Sequence, residues 1–384
     1  GNISLLALLF LFFKILKVRQ HNLLYLIPIS ILLFQLQFWK NMTWSIPAIQ
    51  HQYILIFTGL TFYFLSKNSK LSFCIGFFFA IVSVFTNGSG IATIFLGWII
   101  LLIRKRYLHS GIWCIGTLLL GFFYFKNFYT ISNIFSGTQS LTGLNNLIIY
   151  FFSFLGSALS LNNIFVATGF GVILSLYFCY LTLDKYFEKN LTVFIFIAYI
   201  FLCAVMITVT RYDLGVANVF APRYKISSII LIILVYISLA ERFSPFAIKF
   251  RNFVLFGILF AGTSYFLTFN SGKANLETRN KSLLWMANQW VNTNHGFFFR
   301  SGPAGSEDSI PNSILLKALR HGLYKLPYEI LYIPDQGYSS SVALPKTCGI
   351  GNRATFTTKF NVISIGPEPA PYLIRFEGMI HSSS

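Results

Sequence analysis

Long apolar runs alternate with short polar connections along residues 1–270 of this chain. A run of about 20 apolar residues is long enough to cross a bilayer as an α-helix. The alternation therefore predicts an all-α polytopic membrane protein with about ten transmembrane helices. The predicted spans are 3–18, 22–39, 48–66, 71–86, 90–103, 111–125, 164–183, 191–209, 224–240 and 252–270.

One further apolar segment, 145–160, is short, opens with two asparagines and ends in small residues. Basic residues in alternate connections indicate the cytoplasmic side. Later basic connections stay on that side only if 145–160 is re-entrant or lies at the membrane interface, which we expect. The orienting residues after the first, third and fifth spans are Lys14, Lys17, Arg19, Lys67, Lys70, Arg104, Lys105 and Arg106.

The composition changes after Asn270, where polar residues and short β-type runs replace the long apolar segments. Helix-like spacing continues towards Trp290, and a second helix is predicted between Ser309 and Gly322. Short runs such as "ATFTTKF", "NVISI" and "YLIRFEG" follow, separated by Gly and Pro. The sequence thus predicts a transmembrane domain at 1–270 and a small α+β extracytoplasmic domain at 271–384.

The composition supports the membrane assignment and excludes several other classes. The chain is 55% hydrophobic and 10% charged, whereas soluble domains carry about 25% charged residues. Its net charge of +18 comes largely from Lys and Arg that flank spans, so nucleic-acid binding is not expected. The five cysteines form no CxxC pair or Cys/His cluster, and no metal-binding residues are predicted. The glycine patterns of nucleotide-binding proteins and the motifs of zinc and serine hydrolases are also missing.

The stretch "RYDLGVANVFAPRYK" is the most polar passage before residue 270. Arginine offers a planar donor fork for phosphate oxygens, and lysine offers a compact charge. We therefore interpret Arg211, Arg223, Tyr224 and Lys225 as a clamp for a lipid phosphate. Asp213 would be their counter-charge or a general base. The alternative is that these residues only anchor the ends of two spans at the interface.

The connection "FWKNMTWSIPAIQHQYI" combines aromatic rings with amides and an imidazole. Such a mixture suits a sugar, because aromatic faces contact its C–H groups while amides bond its hydroxyls. An aromatic belt at the interface is the simpler reading of the two tryptophans, and "NGSG" is equally compatible with a plain tight turn. The candidate sugar- or acceptor-binding residues are Trp39, Asn41, Trp44, Gln50, His51 and Asn87.

Four passages resemble bacterial polytopic glycosyltransferases of the GT-C superfamily that are associated with surface polysaccharide. They are "FWKNMTWSIPAIQHQ", "FTNGSGIATIFLGWIILLIRKRY", "FLGSALS" and the R-x3-G…APRY pattern that begins at Arg211. The resemblance implies an inverting transfer of a sugar from a polyprenyl-phosphate donor, outside the cytoplasm. It also implies a catalytic carboxylate in the first outer loop. The chain begins at what resembles the second span, so we expect that loop to be missing, with Asp213 as the alternative base.

The resemblance further implies a location in the bacterial inner membrane. The implied partners are a lipid-linked sugar and a glycan acceptor. No cofactor is certain beyond the donor, and metal dependence is left open.

A transporter or flippase of lipid-linked sugars is the main alternative, although the sequence shows no inverted repeat and no polar midplane residues. An O-antigen-type polymerase or ligase and a non-catalytic scaffold are further alternatives.

Overall fold

A computed structural model describes residues 1–16, 23–126, 141–243, 247–293, 358–363 and 373–378. Most of the outer connection 126–144 lies outside the described residues, as does the predicted helix between Ser309 and Gly322. By contacts, the chain divides into two compact units, Gly1–Lys273 and Ala274–Ser384.

Helices account for most of the described residues. Up to residue 126 the α-helices are α1 (Asn2–Ile15), α2 (Leu26–Leu33), α3 (Trp39–Thr43), α4 (Ser45–Ala48), α5 (Ile54–Leu65), α6 (Lys70–Thr86), α7 (Gly90–Ile103) and α8 (Tyr107–Phe125). After it come α9 (Leu141–Gly156), α10 (Ile164–Leu183), α11 (Tyr186–Lys189), α12 (Leu191–Arg211), α13 (Pro222–Phe243) and α14 (Ala247–Thr293). Short 3-10 helices lie at Leu23–Tyr25, Leu36–Phe38, Ser157–Leu159, Tyr212–Leu214 and Val216–Phe220, and a π-helix at Ile49–Tyr53 joins α4 to α5.

Polar residues between the apolar runs fix several helix starts. The side chain of Asn163 accepts hydrogen bonds from the backbone N–H groups of Phe165 and Val166, at the first turn of α10. Asn190 does the same for Val193 in α12. An asparagine at this position satisfies N–H groups that have no partner within the helix. The two asparagines therefore define where these helices begin.

Each of the ten predicted spans coincides with a helix or a series of helices. Within the described ranges, five helical segments are long and apolar enough to cross a membrane: Leu23–Thr43, Ile164–Leu183, Leu191–Leu214, Pro222–Phe243 and Arg251–Leu284. Shorter apolar helices are Asn2–Ile15, Lys70–Thr86, Gly90–Ile103, Tyr107–Phe122 and Asn145–Leu159. The described part of the first unit is thus an all-α membrane protein, and the number of crossings stays a prediction.

Helix α13 lies at the centre of the bundle. Its most apolar window is 72% buried, compared with 22% for α10 and for the apolar part of α14. It packs against α2, α3, α9 and α12. Polar side chains at the ends of α13 are therefore surrounded by other helices, whereas α10 and α14 expose most of their surface.

Polar contacts group the predicted outer connections at one end of the bundle. The amide of Asn87 donates to the carbonyl oxygen of Gln50 at 2.9 Å, and the amide of Asn41 donates to that of Arg223 at 3.3 Å. We call this the Arg223 end, defined by these four residues. Its grouping agrees with the loop assignment from charge, and its outward orientation stays a prediction.

The connections rich in basic residues meet at the opposite end. Arg106 donates to the carbonyl oxygen of Lys67 at 3.0 Å, and the hydroxyl of Thr192 donates to Ser66 at 3.1 Å. The amide of Asn190 reaches the carbonyl oxygen of Ile15, the last residue of α1, at 3.2 Å. We call this the Lys67 end. Its placement in the cytoplasm also stays a prediction.

The segment 145–160 forms a helical hairpin with α10. The hydroxyls of Ser153 and Thr168 are 2.8 Å apart. A Cβ at Gly171 would overlap the carbonyl oxygen of Phe152, and one at Gly156 would overlap that of Ala167. Small residues allow two helices in a membrane to pack backbone against backbone. This contact places α9 within the bundle, while its predicted re-entrant or interfacial course stays untested.

Helix α14 begins in the first unit, continues without a break past the predicted boundary at residue 270 and ends at Thr293. No proline interrupts this stretch, so no residue in it forces the helix to end. Strands β1 (Thr358–Ile363) and β2 (Leu373–Gly378) pair antiparallel. The sequence placed a break between "ATFTTKF" and "NVISI", but β1 crosses that junction. The complete α+β domain stays a prediction.

Candidate anion-binding site

The candidate site is built around the first turn of α13. Gly215 has a φ of 88°, which favours glycine, and lets the chain turn between the two 3-10 helices that precede α13. Pro222 is the first residue of α13, where its missing N–H costs no hydrogen bond. The positive end of the helix dipole therefore lies at Arg223 and Tyr224.

Arg223 is half-buried, and its Nε atom is buried with no hydrogen-bond partner among the described residues. Its guanidinium lies 4.9 Å from the ring centroid of Tyr224, which is cation–π distance. Burial of a charge is unfavourable unless an opposite charge or hydrogen bonds compensate it. Within the described part of the chain, no carboxylate pairs with this guanidinium. Arg223 therefore has a donor that no described residue uses.

His51, Tyr224 and Asn41 surround this arginine. The rings of His51 and Tyr224 are 5.6 Å apart and nearly perpendicular. His51 lies in the π-helix, a feature that often occurs at functional sites. Asn41 is fully buried, and its Oδ1 atom has no hydrogen-bond partner among the described residues. An imidazole, an amide and a guanidinium thus meet at one place.

Tyr150 of α9 is a site residue that the sequence analysis missed. It is fully buried, and its hydroxyl has no hydrogen-bond partner among the described residues. Helix α9 packs against α13 and against the two 3-10 helices that lead from Arg211 to Arg223. One turn along α9, Phe154 contacts Tyr224 with the ring centroids 6.0 Å apart. Nothing in the sequence distinguishes Tyr150 from the other tyrosines, because only the packing of α9 against α13 brings it here.

Arg211 and Asp213 lie at the rim of the site, and both are exposed. Asp213 forms no ion pair or side-chain hydrogen bond with any described residue. The 3-10 helix Tyr212–Leu214 packs against α9, so these charges are near the site without being enclosed in it. The role of Asp213 as a counter-charge or base stays a prediction.

Lys225 lies apart from Arg223 although it is two residues away in sequence. Successive helical residues are about 100° apart, so the two side chains leave α13 in nearly opposite directions. Lys225 is buried, and its ammonium donates to Oδ1 of Asn162 at 2.7 Å. Asn162 belongs to the turn between α9 and α10 and has a φ of 67°. Lys225 thus holds the α9–α10 hairpin, while Arg223 faces the aromatic cluster.

The remaining predicted residues occupy the surroundings. Trp39 is buried in α3, with the ammonium of Lys40 5.5 Å from its ring, and Trp44 is partly exposed between α3 and α4. Asn87 uses its amide to hold the exposed Gln50 backbone. Backbone bonds across Asn87–Gly90 form a tight turn, which is the simpler of the two readings of this stretch.

A second group of polar residues lies inside the bundle, where the sequence analysis expected none. The hydroxyls of Thr58 and Thr93 are 2.7 Å apart, and both residues are fully buried. The hydroxyl of Tyr199 donates to Ser89 at 3.3 Å. Thr58 is at the middle of the predicted span 48–66, so the expectation of an apolar midplane is wrong there. Threonine and serine fit inside apolar helices because they also bond the preceding turn.

No metal site emerges within the described ranges, where no three His, Cys, Asp or Glu side chains come together. The comparisons with known proteins identify no relative on which the site could be mapped. No protein-family model, no curated protein and no solved structure matches this chain.

Proposed function

We propose that this protein is an integral-membrane glycosyltransferase that uses a polyprenyl-phosphate sugar as donor. It would transfer the sugar to a glycan or lipid acceptor on the outer face of a bacterial inner membrane, as one step in the synthesis of a cell-surface polysaccharide. The transfer chemistry is taken from the GT-C resemblance. The half-buried guanidinium of Arg223, which has no carboxylate partner among the described residues, is the observation that supports phosphate binding.

Several properties of the Arg223 end suit a lipid phosphate. Arginine offers paired donors to phosphate oxygens, and the start of a helix attracts an anion. The buried and unpartnered hydroxyl of Tyr150 would supply a further donor. The site lies at one end of a bundle of apolar helices, where a polyprenyl chain would remain in the membrane while its phosphate meets these polar groups.

In the proposed reaction, the acceptor hydroxyl oxygen bonds to the anomeric carbon as the bond from that carbon to the phosphate oxygen breaks. The phosphate leaves with an added negative charge, which Arg223 would stabilise more strongly than it stabilises the intact donor. A carboxylate takes the proton from the acceptor hydroxyl. Of the acidic residues before residue 270, Asp213 is at the Arg223 end. Asp184 and Glu241 lie at the other end.

His51 and Asn41 are the proposed sugar-binding groups at this site. The free Oδ1 atom of Asn41 can accept a hydrogen bond from a sugar hydroxyl. The ring of His51 stands beside Tyr224, so a sugar held there would lie next to the phosphate bound by Arg223.

A transporter or flippase of lipid-linked sugars is the second candidate. It is favoured by the buried hydroxyls of Thr58, Thr93 and Tyr199, which the transferase proposal does not use. Polar groups inside a bundle are typical of translocation pathways.

The test is the substitution Arg223→Gln, with Arg251→Gln as a matched control because Arg251 is an exposed arginine on α14. Each variant is expressed in a deletion strain, and the lipid-linked and surface glycans are measured by mass spectrometry. We expect Arg223→Gln to yield a surface glycan that lacks one sugar while its polyprenyl-phosphate sugar accumulates. The control should restore the complete glycan.

A complete glycan that remains trapped on its lipid inside the deletion strain would identify a transporter and overturn the transferase proposal. Full activity of Arg223→Gln would overturn the assignment of phosphate binding to Arg223. A parallel titration of the purified protein with polyprenyl phosphate separates the two results, because it measures binding without transfer.

A further inference from the structure

The α5–α6 and α7–α8 turns form one continuous surface at the Lys67 end. Arg106 spans the two turns, since its guanidinium donates to the carbonyl oxygens of Lys67 at 3.0 Å and Ser69 at 3.5 Å. The ring of His109 in α8 also packs edge-on against Phe73 in α6, with the centroids 4.8 Å apart. These contacts fix the spacing of the turns.

Four other basic side chains on these turns are exposed: Lys67, Lys70, Arg104 and Lys105. We call Lys67, Lys70 and Arg104–Arg106 the basic surface. Lys67 also lies over the ring of Tyr63, with its ammonium 4.1 Å from the centroid. The charges of the basic surface thus lie side by side on two adjoining turns.

No acidic residue near the basic surface in sequence neutralises its charge. The chain contains no Asp or Glu before Asp184. Asp184 itself pairs with Arg242. Glu241 accepts hydrogen bonds from Tyr186 at 2.6 Å and from Asn190 at 2.7 Å. These two acids already have partners, and the exposed Glu188 of α11 forms no ion pair with the basic surface among the described residues. The positive potential of the basic surface therefore attracts an external anion.

Exposed apolar side chains border the basic surface. Leu71 at the start of α6 is 69% exposed, and Tyr107 and Leu108 at the start of α8 are 68% and 76% exposed. A soluble anion makes no use of such side chains. A lipid does, because its phosphate sits at the headgroup level and its acyl chains lie immediately beside it.

From this juxtaposition we propose that the basic surface binds the phosphate headgroup of an anionic phospholipid. The exposed lysines and Arg104 bind the phosphate, Leu71 and Leu108 contact the upper part of the acyl chains, and Arg106 holds the two turns at the required spacing. This site lies at the opposite end of the bundle from Arg223 and does not depend on the transferase proposal.

The experiment uses the purified full chain in detergent with phosphatidylglycerol or phosphatidylcholine, and native mass spectrometry measures the lipid retained. We expect the wild type to retain phosphatidylglycerol preferentially. The variant Lys70→Gln with Arg104→Gln removes one charge from each turn and should weaken phosphatidylglycerol binding roughly 30-fold, because each basic residue contributes about 1 kcal/mol at an anionic surface.

The matched control is Lys185→Gln with Arg251→Gln, which removes the same two charge types from exposed positions outside the basic surface. It should retain the wild-type preference. Equal retention of both lipids by the wild type would overturn the proposal, and so would an equal loss in the control. Displacement of the lipid by millimolar inorganic phosphate would show that the surface binds free phosphate instead.

The variant Arg106→Lys tests the positioning role separately. Lysine keeps the charge but lacks the planar fork that reaches both carbonyl oxygens. We expect a several-fold weaker preference for phosphatidylglycerol with an unchanged net charge. An unchanged preference would show that Arg106 does not set the spacing of the turns. Gel filtration of each variant confirms that the chain remains folded.

Discussion

Two charged residues of α13, Glu241 at the Lys67 end and Arg223 at the other end, differ in the hydrogen bonding of their buried atoms. At the Lys67 end, Glu241 is 1% exposed, and its carboxylate accepts hydrogen bonds from Tyr186 and Asn190. At the Arg223 end, the buried polar atoms of Arg223, Asn41 and Tyr150 have no hydrogen-bond partner among the described residues. A satisfied buried group stabilises the fold, whereas an unsatisfied one destabilises it.

Buried polar groups that hold helices together can therefore be told apart from buried polar groups that are candidates for binding a ligand. The Glu241 contacts link α11, α12 and α13, and Asn190 extends them to the last residue of α1. They are complete without a ligand. In the proposed function, an anion would supply the acceptors that Arg223 and Tyr150 lack, and a sugar hydroxyl would supply the donor that Asn41 lacks.

The largest expected effect is that of Glu241→Ala. It leaves the hydroxyl of Tyr186 and the amide of Asn190 without their buried acceptor. We expect a loss of about 2–6 kcal/mol in the free energy of unfolding, because each unsatisfied buried donor costs about 1–3 kcal/mol. The measurement is denaturant unfolding in detergent. Glu188→Ala is the control, because Glu188 is exposed beside the same cluster. Equal stability of the two variants would contradict the structural role of Glu241.

Tyr186→Phe should have a smaller effect at the same end. It removes only the hydrogen bond of 2.6 Å to Glu241, and a bond to a charged group contributes about 1.5–3 kcal/mol. The same unfolding measurement applies. Tyr107→Phe, which alters an exposed tyrosine, should change nothing. A loss equal to that of Glu241→Ala would show that the carboxylate has no other important partner.

At the Arg223 end, Tyr150→Phe should leave the free energy of unfolding unchanged or raise it slightly, because the buried hydroxyl that it removes has no partner among the described residues. The affinity for polyprenyl phosphate should fall roughly fivefold to tenfold, as expected for one lost hydrogen bond of about 1–1.5 kcal/mol. Calorimetric titration measures this change. A large loss of stability with unchanged affinity would show that Tyr150 stabilises the fold and does not bind the phosphate.

The smallest expected change in stability is that of Arg223→Gln in the absence of ligand. Removing a half-buried charge without a carboxylate partner should alter the free energy of unfolding by less than about 0.5 kcal/mol or raise it slightly. Saturating polyprenyl phosphate should then stabilise the wild type but not the variant. A large destabilisation of the ligand-free variant would show that Arg223 has a structural partner after all.

The fold was largely predictable because apolar runs follow each helix closely. Every predicted span coincides with a helical segment, since a stretch such as 191–209 has few ways to satisfy its backbone groups in a lipid environment other than a helix. Helix-like spacing near Trp290 was recognised in the sequence, but its continuity with the span 252–270 in one helix was not predicted. The sequence becomes polar at residue 270 but contains no helix-breaking proline there. The change in composition therefore suggested a domain boundary, whereas the helix continues through it.

The site was predictable in part. Asn41, His51, Arg223 and Tyr224 were chosen for their residue types, and the structure brings them together. Tyr150 could not be chosen, because it reaches the site only through the packing of α9. The sequence analysis grouped Lys225 with Arg223 because they are two residues apart in the chain. The structure places Lys225 against Asn162 instead.

The sequence by itself determined the class of the protein and the positions of its helices, because hydrophobic length and loop charge act locally along the chain. Only the tertiary structure decided which polar groups are satisfied. Arg223 and Glu241 are both ionisable residues on α13, and the helices packed beside each one determine whether hydrogen-bond partners are within reach. That outcome depends on contacts between distant segments, which no local pattern records.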